Sequence, residues 1–408
     1  MPDVSVPSRS KITLGHVDGD LEVEAGAVVS PEKDFVTVDG RVEVEGNAVF
    51  EGGLRASQLE VDDGDLDIRG PLTIEDGVEV SDGNLHVAGS LSAKDVDVDR
   101  HLEVLGDVTV SNLEVGSRAA IRGSLKAESV EVGGSLDVKA TAIVEDIEVG
   151  GSVSVAKEIT CRRIDVGGSV SVGGGKIEEI DVGGSFQSSA SLEFTELDVG
   201  GSALLNGNNK GGRIDVGGFF STKGPGDLIF ESIDVGGTIE VDGNAKGGDV
   251  DVGGVFRVRG NLALTGRLEV GGKCEINGTL TAERIDVGGW LEADEVQGDD
   301  IDVGGSAASK RGIKGKSITI GDRGRARGPL IGDYIRIGDN ASIEGVYGKT
   351  IEMEERCRAD VIHGVDIRIE TGSRISGEVL YSGSLDAEDG VTFSVPPRKV
   401  DVLPEPPK

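Results

Sequence analysis

Val-Gly-Gly recurs along this chain at Val132, Val149, Val166, Val182, Val199, Val216, Val235, Val252, Val270, Val287 and Val303, a period of about 17 residues. Self-similarity at a short fixed period marks a solenoid, because one repeat cannot bury its own apolar face and is stable only when stacked on neighbours. Looser copies carry the register upstream through Val115, Val98, Val80, Val61, Val38 and Val17, and downstream through Ile320, Ile337, Met353 and Ile369. Nearly all 408 residues thus form one array, where length alone would suggest two or three globular domains.

Within Ile164-Asp165-Val166-Gly167-Gly168-Ser169-Val170-Ser171-Val172, apolar and polar residues alternate on both sides of the glycine pair. That is the period of short strands, and helical periodicity is absent. A third apolar position follows about ten residues after the valine, as at Ile159 and Ile177, which gives each turn three short faces. The expected fold is all-β, a single long parallel β-helix with three sides and about 17 residues per coil. Aromatics make up only 3% of the chain, so small β-branched side chains must fill a narrow core. The glycine pair is expected to turn its corner through positive φ. The serine that often follows, as at Ser135, Ser152, Ser169, Ser185 and Ser202, is expected to form a hydroxyl ladder.

The formal net charge of -33 argues against non-specific binding to nucleic acid or anionic membranes for most of the molecule. Abundant Asp, with Arg outnumbering Lys, is a balance like that of proteins from a salt-rich cytoplasm, so salt adaptation is expected. Cys161, Cys274 and Cys357 are far apart and odd in number, so they read as buried fillers in a reducing compartment. The N-terminus lacks a signal-peptide apolar region and no stretch approaches the run of about 18 apolar residues that spans a bilayer, so the expected location is cytoplasmic.

The residue before the repeating valine is acidic in fifteen successive coils: Glu60, Glu79, Asp97, Glu114, Glu131, Glu148, Asp165, Asp181, Asp198, Asp215, Asp234, Asp251, Glu269, Asp286 and Asp302. Flanked by inward residues, it points outward, and stacking aligns the carboxylates in one ladder. Neighbours about 5 Å apart repel by roughly 1 kcal/mol in water. Such a ladder is either a solvated face that keeps molecules from sticking side by side or a track for cations or basic partners. Beyond Asp302 the position becomes Thr319, Arg336, Glu352 and Arg368, and residues 306–375 carry 13 Lys/Arg against 10 Asp/Glu. Arg323, Arg325 and Arg327 cluster there, as a solvated loop or a docking patch for an acidic partner.

The chain accordingly divides into a flexible segment 1–10, an acidic array 11–305, basic-leaning coils 306–395 and a proline-rich, disordered tail 396–408, since proline lacks the ladder donor. His16, His86, His101 and His363 have no metal-like spacing, and no catalytic, cofactor-binding or metal residue is assigned. Trp290 takes a slot usually held by serine, as a contact point or a local packing substitution.

The stretch Ser317-Ile-Thr-Ile-Gly-Asp through Ile337-Gly-Asp-Asn-Ala-Ser-Ile-Glu-Gly, with Ser376-Gly-Glu-Val-Leu-Tyr-Ser-Gly, resembles the bactofilins, the polymer-forming cytoskeletal proteins of bacteria and archaea. The resemblance implies a right-handed helix and end-to-end assembly of the chain with itself, without nucleotide, in cell shape or partner localisation. Other cytoskeletal or cell-envelope proteins would be partners, with recruitment to the inner face of the membrane through them. It also implies a critical apolar contact in the last coil, where Val391 and Phe393 stand; Phe393 equally suits a cap on its own coil. The array is several times longer than a typical family core, and the family's membrane-targeting N-terminal peptide has no clear counterpart. Two alternatives are a left-handed β-helix acyltransferase, which would need strict hexads and coils of about 18 residues, and a monomeric solenoid that binds cations or basic partners.

Overall fold

The computed structural model describes residues 3–407; Met1 and Pro2 of the expected flexible segment and Lys408 of the expected tail lie outside the described residues. Residues 1–201 and 202–408 form two compact units. Among the described residues every element is a strand and none is a helix.

In the first unit one coil contains Gln58–Asp62, Leu66–Ile68 and Leu72–Ile74. Each strand pairs in parallel with the third strand after it: Val61 with Val80, Leu66 with Leu85 and Leu72 with Leu91. That three-strand offset is the three-sided coil the alternation predicts. The second unit repeats the scheme with Ser232–Val235, Thr238–Val241 and Ala245–Gly247, paired to the next coil at Val252, Val258 and Leu262. Alternate residues face inward, so Leu59, Val61, Val78, Val80, Val96 and Val98 form a stack in which none exceeds 2% exposure. Burying each such side chain contributes about 1.5–3 kcal/mol, and only a neighbouring coil can supply the cover. Phe50, Phe186, Phe220 and Phe256 are the widest fully buried side chains.

The corners differ from expectation in their physical cause. None of the glycine pairs from Gly133-Gly134 to Gly200-Gly201, or from Gly236-Gly237 to Gly304-Gly305, has positive φ. Glycine is required there by stacking: a Cβ on Gly133 would lie 2.1 Å from the carbonyl oxygen of Gly116, and one on Gly167 2.5 Å from that of Gly150. The backbone passes so close to the coil beneath because the strand ladder continues through the corner, as in the 3.0 Å bond from the Ser152 amide to the Gly134 carbonyl. Along this edge positive φ appears instead at the longer corners of the first coils, at Arg9, Gly26, Gly46, Asp63 and Asp82, and of the last, at Arg323, Asn340, Arg356, Gly372 and Gly390, while Gly174, Gly175, Gly207, Gly224, Gly312 and Gly328 adopt it elsewhere in their coils. The residue composition changes near 306 together with this corner, where Gly304-Gly305 gives way to the longer Gly321-Asp322-Arg323-Gly324.

The upstream register also differs from expectation. Val61 stacks on Val44, Val44 on Val23 and Val23 on Val6. Val17 and Val38 pair with each other on the third face. The step from Val17 to Val38 equals that from Val23 to Val44, so either valine series extends the period. The ends are more regular than expected. Val4–Val6 already pairs with Leu21–Val23, and beyond Pro396-Pro397 the tail adds Arg398–Lys399 to Leu380–Tyr381, with the Val400 amide 2.9 Å from the Tyr381 carbonyl. The prolines sit at a corner, where no ladder donor is needed; residues 401–407 carry no strand.

Candidate functional site

The alternation that buries the valines turns the residue before each of them outward. The resulting column runs two coils further upstream than the repeat suggests: Glu22, Glu43, Glu60, Glu79, Asp97, Glu114, Glu131, Glu148, Asp165, Asp181 and Asp198 pair in strict register in the first unit. Asp215, Asp234, Asp251, Glu269, Asp286, Asp302 and then Thr319 do so in the second. All the acids are exposed or half-buried.

Part of the ladder is neutralised by an arginine two positions earlier on the same face. Arg41 lies 3.4 Å from Glu43 and 3.1 Å from Glu60, Arg163 3.3 Å from Asp165, Arg213 3.0 Å from Asp215 and Arg267 3.4 Å from Glu269. From Glu79 to Glu148 the flanking residues are Gly77, Asp95, Asn112, Ser129 and Asp146, and no ion pair to these five carboxylates exists among the described residues. The repulsion is expressed at Glu114, whose carboxyl is pushed up first by Asp97, then by burial and by Glu131. Burial, and then Asp99, raises Asp97. Asp302 is likewise raised by burial and by Asp286.

Arg323, Arg325 and Arg327 are all exposed. Arg323 adopts φ 58° at its corner and its amide donates to the Asp339 carbonyl at 2.7 Å. Arg325 and Arg327 alternate outward on the second face, stacked over Ser306 and Ala308. Arg327 also edges a groove of about 820 Å³ on this face, where Arg257 bridges Glu240 at 2.9 Å and Glu275 at 2.7 Å. Register then adds two residues that sequence spacing hides: Arg325 stacks on Ser342, Ser342 on Arg358 and Arg358 on Arg374. Coils of slightly unequal length place all four at the start of the second face.

At the last coil, Leu385, Thr392-Phe393 and Arg398-Lys399 each pair with the coil before and with nothing beyond among the described residues. Val391 and Phe393 are half-buried, whereas Ile375, the partner of Phe393, is fully buried. Val395 is 42% exposed. Close by, Glu378 accepts from Arg398 and meets His363 Nε2 at 3.2 Å. Hydrogen bonding from Arg398, and secondarily from His363, holds its carboxyl below the usual range. Tyr347 packs edge-on against the His363 ring at 5.2 Å.

Sequence reasoning missed two arrangements that join residues from different coils. His16 lies 2.9 Å from Asp18 and 3.3 Å from Asp39, an exposed trio whose third member comes from the following coil. Asparagines and aspartates build corner ladders: Asn208 accepts from the Asp227 amide at 3.0 Å, Asp227 from the Asn244 side chain at 2.9 Å, Asn244 from the Asn261 amide at 2.9 Å and Asn261 from the Thr279 amide at 2.9 Å. Their recurrence once per coil was the available signal. The serines 135, 152, 169 and 185 do stack in register, but among the described residues no hydrogen bond joins their hydroxyls. Trp290 is half-buried between Lys273 and Ser306, with Nε1 3.3 Å from Glu292.

Among the described residues no helix is long and apolar enough to cross a membrane. No family model matches the sequence, and neither a curated protein nor a solved structure matches it.

Proposed function

We propose that this chain is a non-enzymatic structural scaffold of the bactofilin kind, which assembles end to end into filaments in the cytoplasm without nucleotide. The observation that supports this reading is the open last coil. Among the described residues its strands are hydrogen-bonded on one side only, and its inward positions, Val391 and Phe393, remain half-buried where their upstream counterparts are fully covered. An open strand edge with apolar neighbours is a template for pairing with another chain. A second copy stacked there would complete the coil by the same contacts that join every other pair of coils.

Negative-stain microscopy and light scattering of the full chain, as wild type and as Phe393→Arg, test the reading. Filaments that shorten or vanish in the variant support it; wild-type protein that stays monomeric at every salt concentration, or filaments indifferent to the substitution, overturn it. A second reading, a binding module for cations or basic partners, draws on the uncompensated carboxylates from Glu79 to Glu148. It predicts monomers whose stability rises on adding a divalent cation or a basic peptide.

A further inference from the structure

The arginine column and the bare stretch of the acidic ladder share one geometry. Arg325, Arg358 and Arg374 occupy a single row on the second face of the second unit, interrupted only by Ser342, and all are exposed. No carboxylate lies within ion-pair distance of any of them, or of Arg323 and Arg327, among the described residues. Other arginines of the same coils are matched within the chain: Arg336 meets Glu354 at 2.5 Å, and Arg368 reaches Glu370 at 3.7 Å and Glu388 at 3.9 Å. Like charges placed directly opposite on adjacent strands, as Arg358 and Arg374 are, oppose folding unless an anion lies against them. The five carboxylates from Glu79 to Glu148 pose the mirror-image problem, one per coil and with no basic side chain in ion-pair distance among the described residues.

Both rows inherit their spacing from the same strand stack, about 4.8 Å per coil. Guanidiniums on one molecule therefore fall in step with carboxylates on another over several coils, with the Ser342 position as the one gap. A nucleic-acid strand, with charges rising about 3.4 Å per nucleotide, does not keep that step.

The geometry points to side-by-side docking of two copies of this chain, the Arg325–Arg358–Arg374 row of one seated on the Glu79–Glu148 stretch of the other. The two surfaces are different patches, so the contact is heterologous and leaves each molecule with a free row for the next. It is separate from the end contact and is carried by exposed charges, so salt dissolves it.

The test uses the full chain carrying Phe393→Arg, which removes the end contact from the measurement, in sedimentation velocity at about 0.05 M and about 1 M KCl, where the screening length falls severalfold. Association at low salt that disappears at high salt is expected; a monomer at both overturns the proposal. Adding Arg325→Glu, Arg358→Glu and Arg374→Glu should abolish the low-salt association, and wild-type-like association in that variant overturns it. Mixing the triple-glutamate chain with one carrying Glu114→Arg, Glu131→Arg and Glu148→Arg should restore association that neither shows alone. Failure of the mixture, with both chains folded by circular dichroism, overturns the pairing of these two rows. Binding of a short DNA duplex or phosphatidylserine vesicles through the three arginines, without low-salt self-association, would show a different polyanion as the occupant and overturn it too. Loss of filaments in Phe393→Arg without effect on low-salt pairing separates this contact from the end contact.

Discussion

The α-carbon of Gly150 faces the carbonyl of Gly133 in the coil beneath so closely that a Cβ there would lie 2.3 Å from that oxygen. The backbone of one coil therefore dictates the residue type of the next.

Gly150→Ala should cost about 1–3 kcal/mol, the usual penalty of forcing a methyl into filled space. Gly77 provides the contrast, because its nearest neighbour for a Cβ is the Asp95 carbonyl at 3.9 Å. Gly77→Ala should be neutral or stabilise by up to about 1 kcal/mol through the unfolded chain. Urea midpoints of the two variants check this, and equal midpoints would refute the stacking explanation.

Glu114 should gain from losing its charge. Its folded carboxyl titrates above the ordinary value, chiefly because of Asp97, so the ionised form opposes folding. Stability from this site rises as pH falls through the folded value, and is lost as pH rises through it. Glu114→Gln should stabilise at neutral pH by roughly a few tenths of a kcal/mol, since the group is exposed and screened. The gain should fade in about 1 M KCl and below the carboxylate range. Thermal melts over pH and salt measure it.

The three thiols should be inert in the folded chain. Burial pushes Cys161 up to about 12 and Cys357 up to about 11, and raises Cys274 as well. The thiolate is the nucleophile, so little of it exists at about pH 8. A maleimide reagent should label no cysteine in native protein within minutes and all three in denaturant. Fast labelling of any one in native protein would contradict its burial.

Asn244→Ala should lower stability by about 1 kcal/mol, because its side chain both donates to Asp227 and accepts from the Asn261 amide. Hydrogen exchange of the Asn261 amide should quicken in the same variant, and unchanged protection there would remove the ladder's role.

The coil stack was legible because its physics is periodic. A valine once per coil with alternating neighbours admits one answer, and the outward acids from Glu60 to Asp302 follow from it. Features that depend on how coils of unequal length align were not legible. Val44 and Val38 compete for the same slot until the corners are placed, and only the second extends the wrong face. Arg358 and Arg374 join Arg325 only through the corner at Arg356 and the coil lengths around it. The recurrence of the glycine pair marks it as indispensable, yet the need is for space and not for torsion, because a sequence shows the absence of a side chain but not which neighbour excludes it.

The contrast between corners has a consequence for variation. Where Gly-Gly stacks on Gly-Gly, that edge can carry no lettering: any side chain collides with the coil below. Where the corner lengthens and passes through Asp63, Asp82, Arg323, Asn340 or Arg356, side chains are tolerated. Within each unit, substitution can therefore redecorate this edge only in the coils outside its Gly-Gly stretch, and the Gly-Gly stretch itself stays blank.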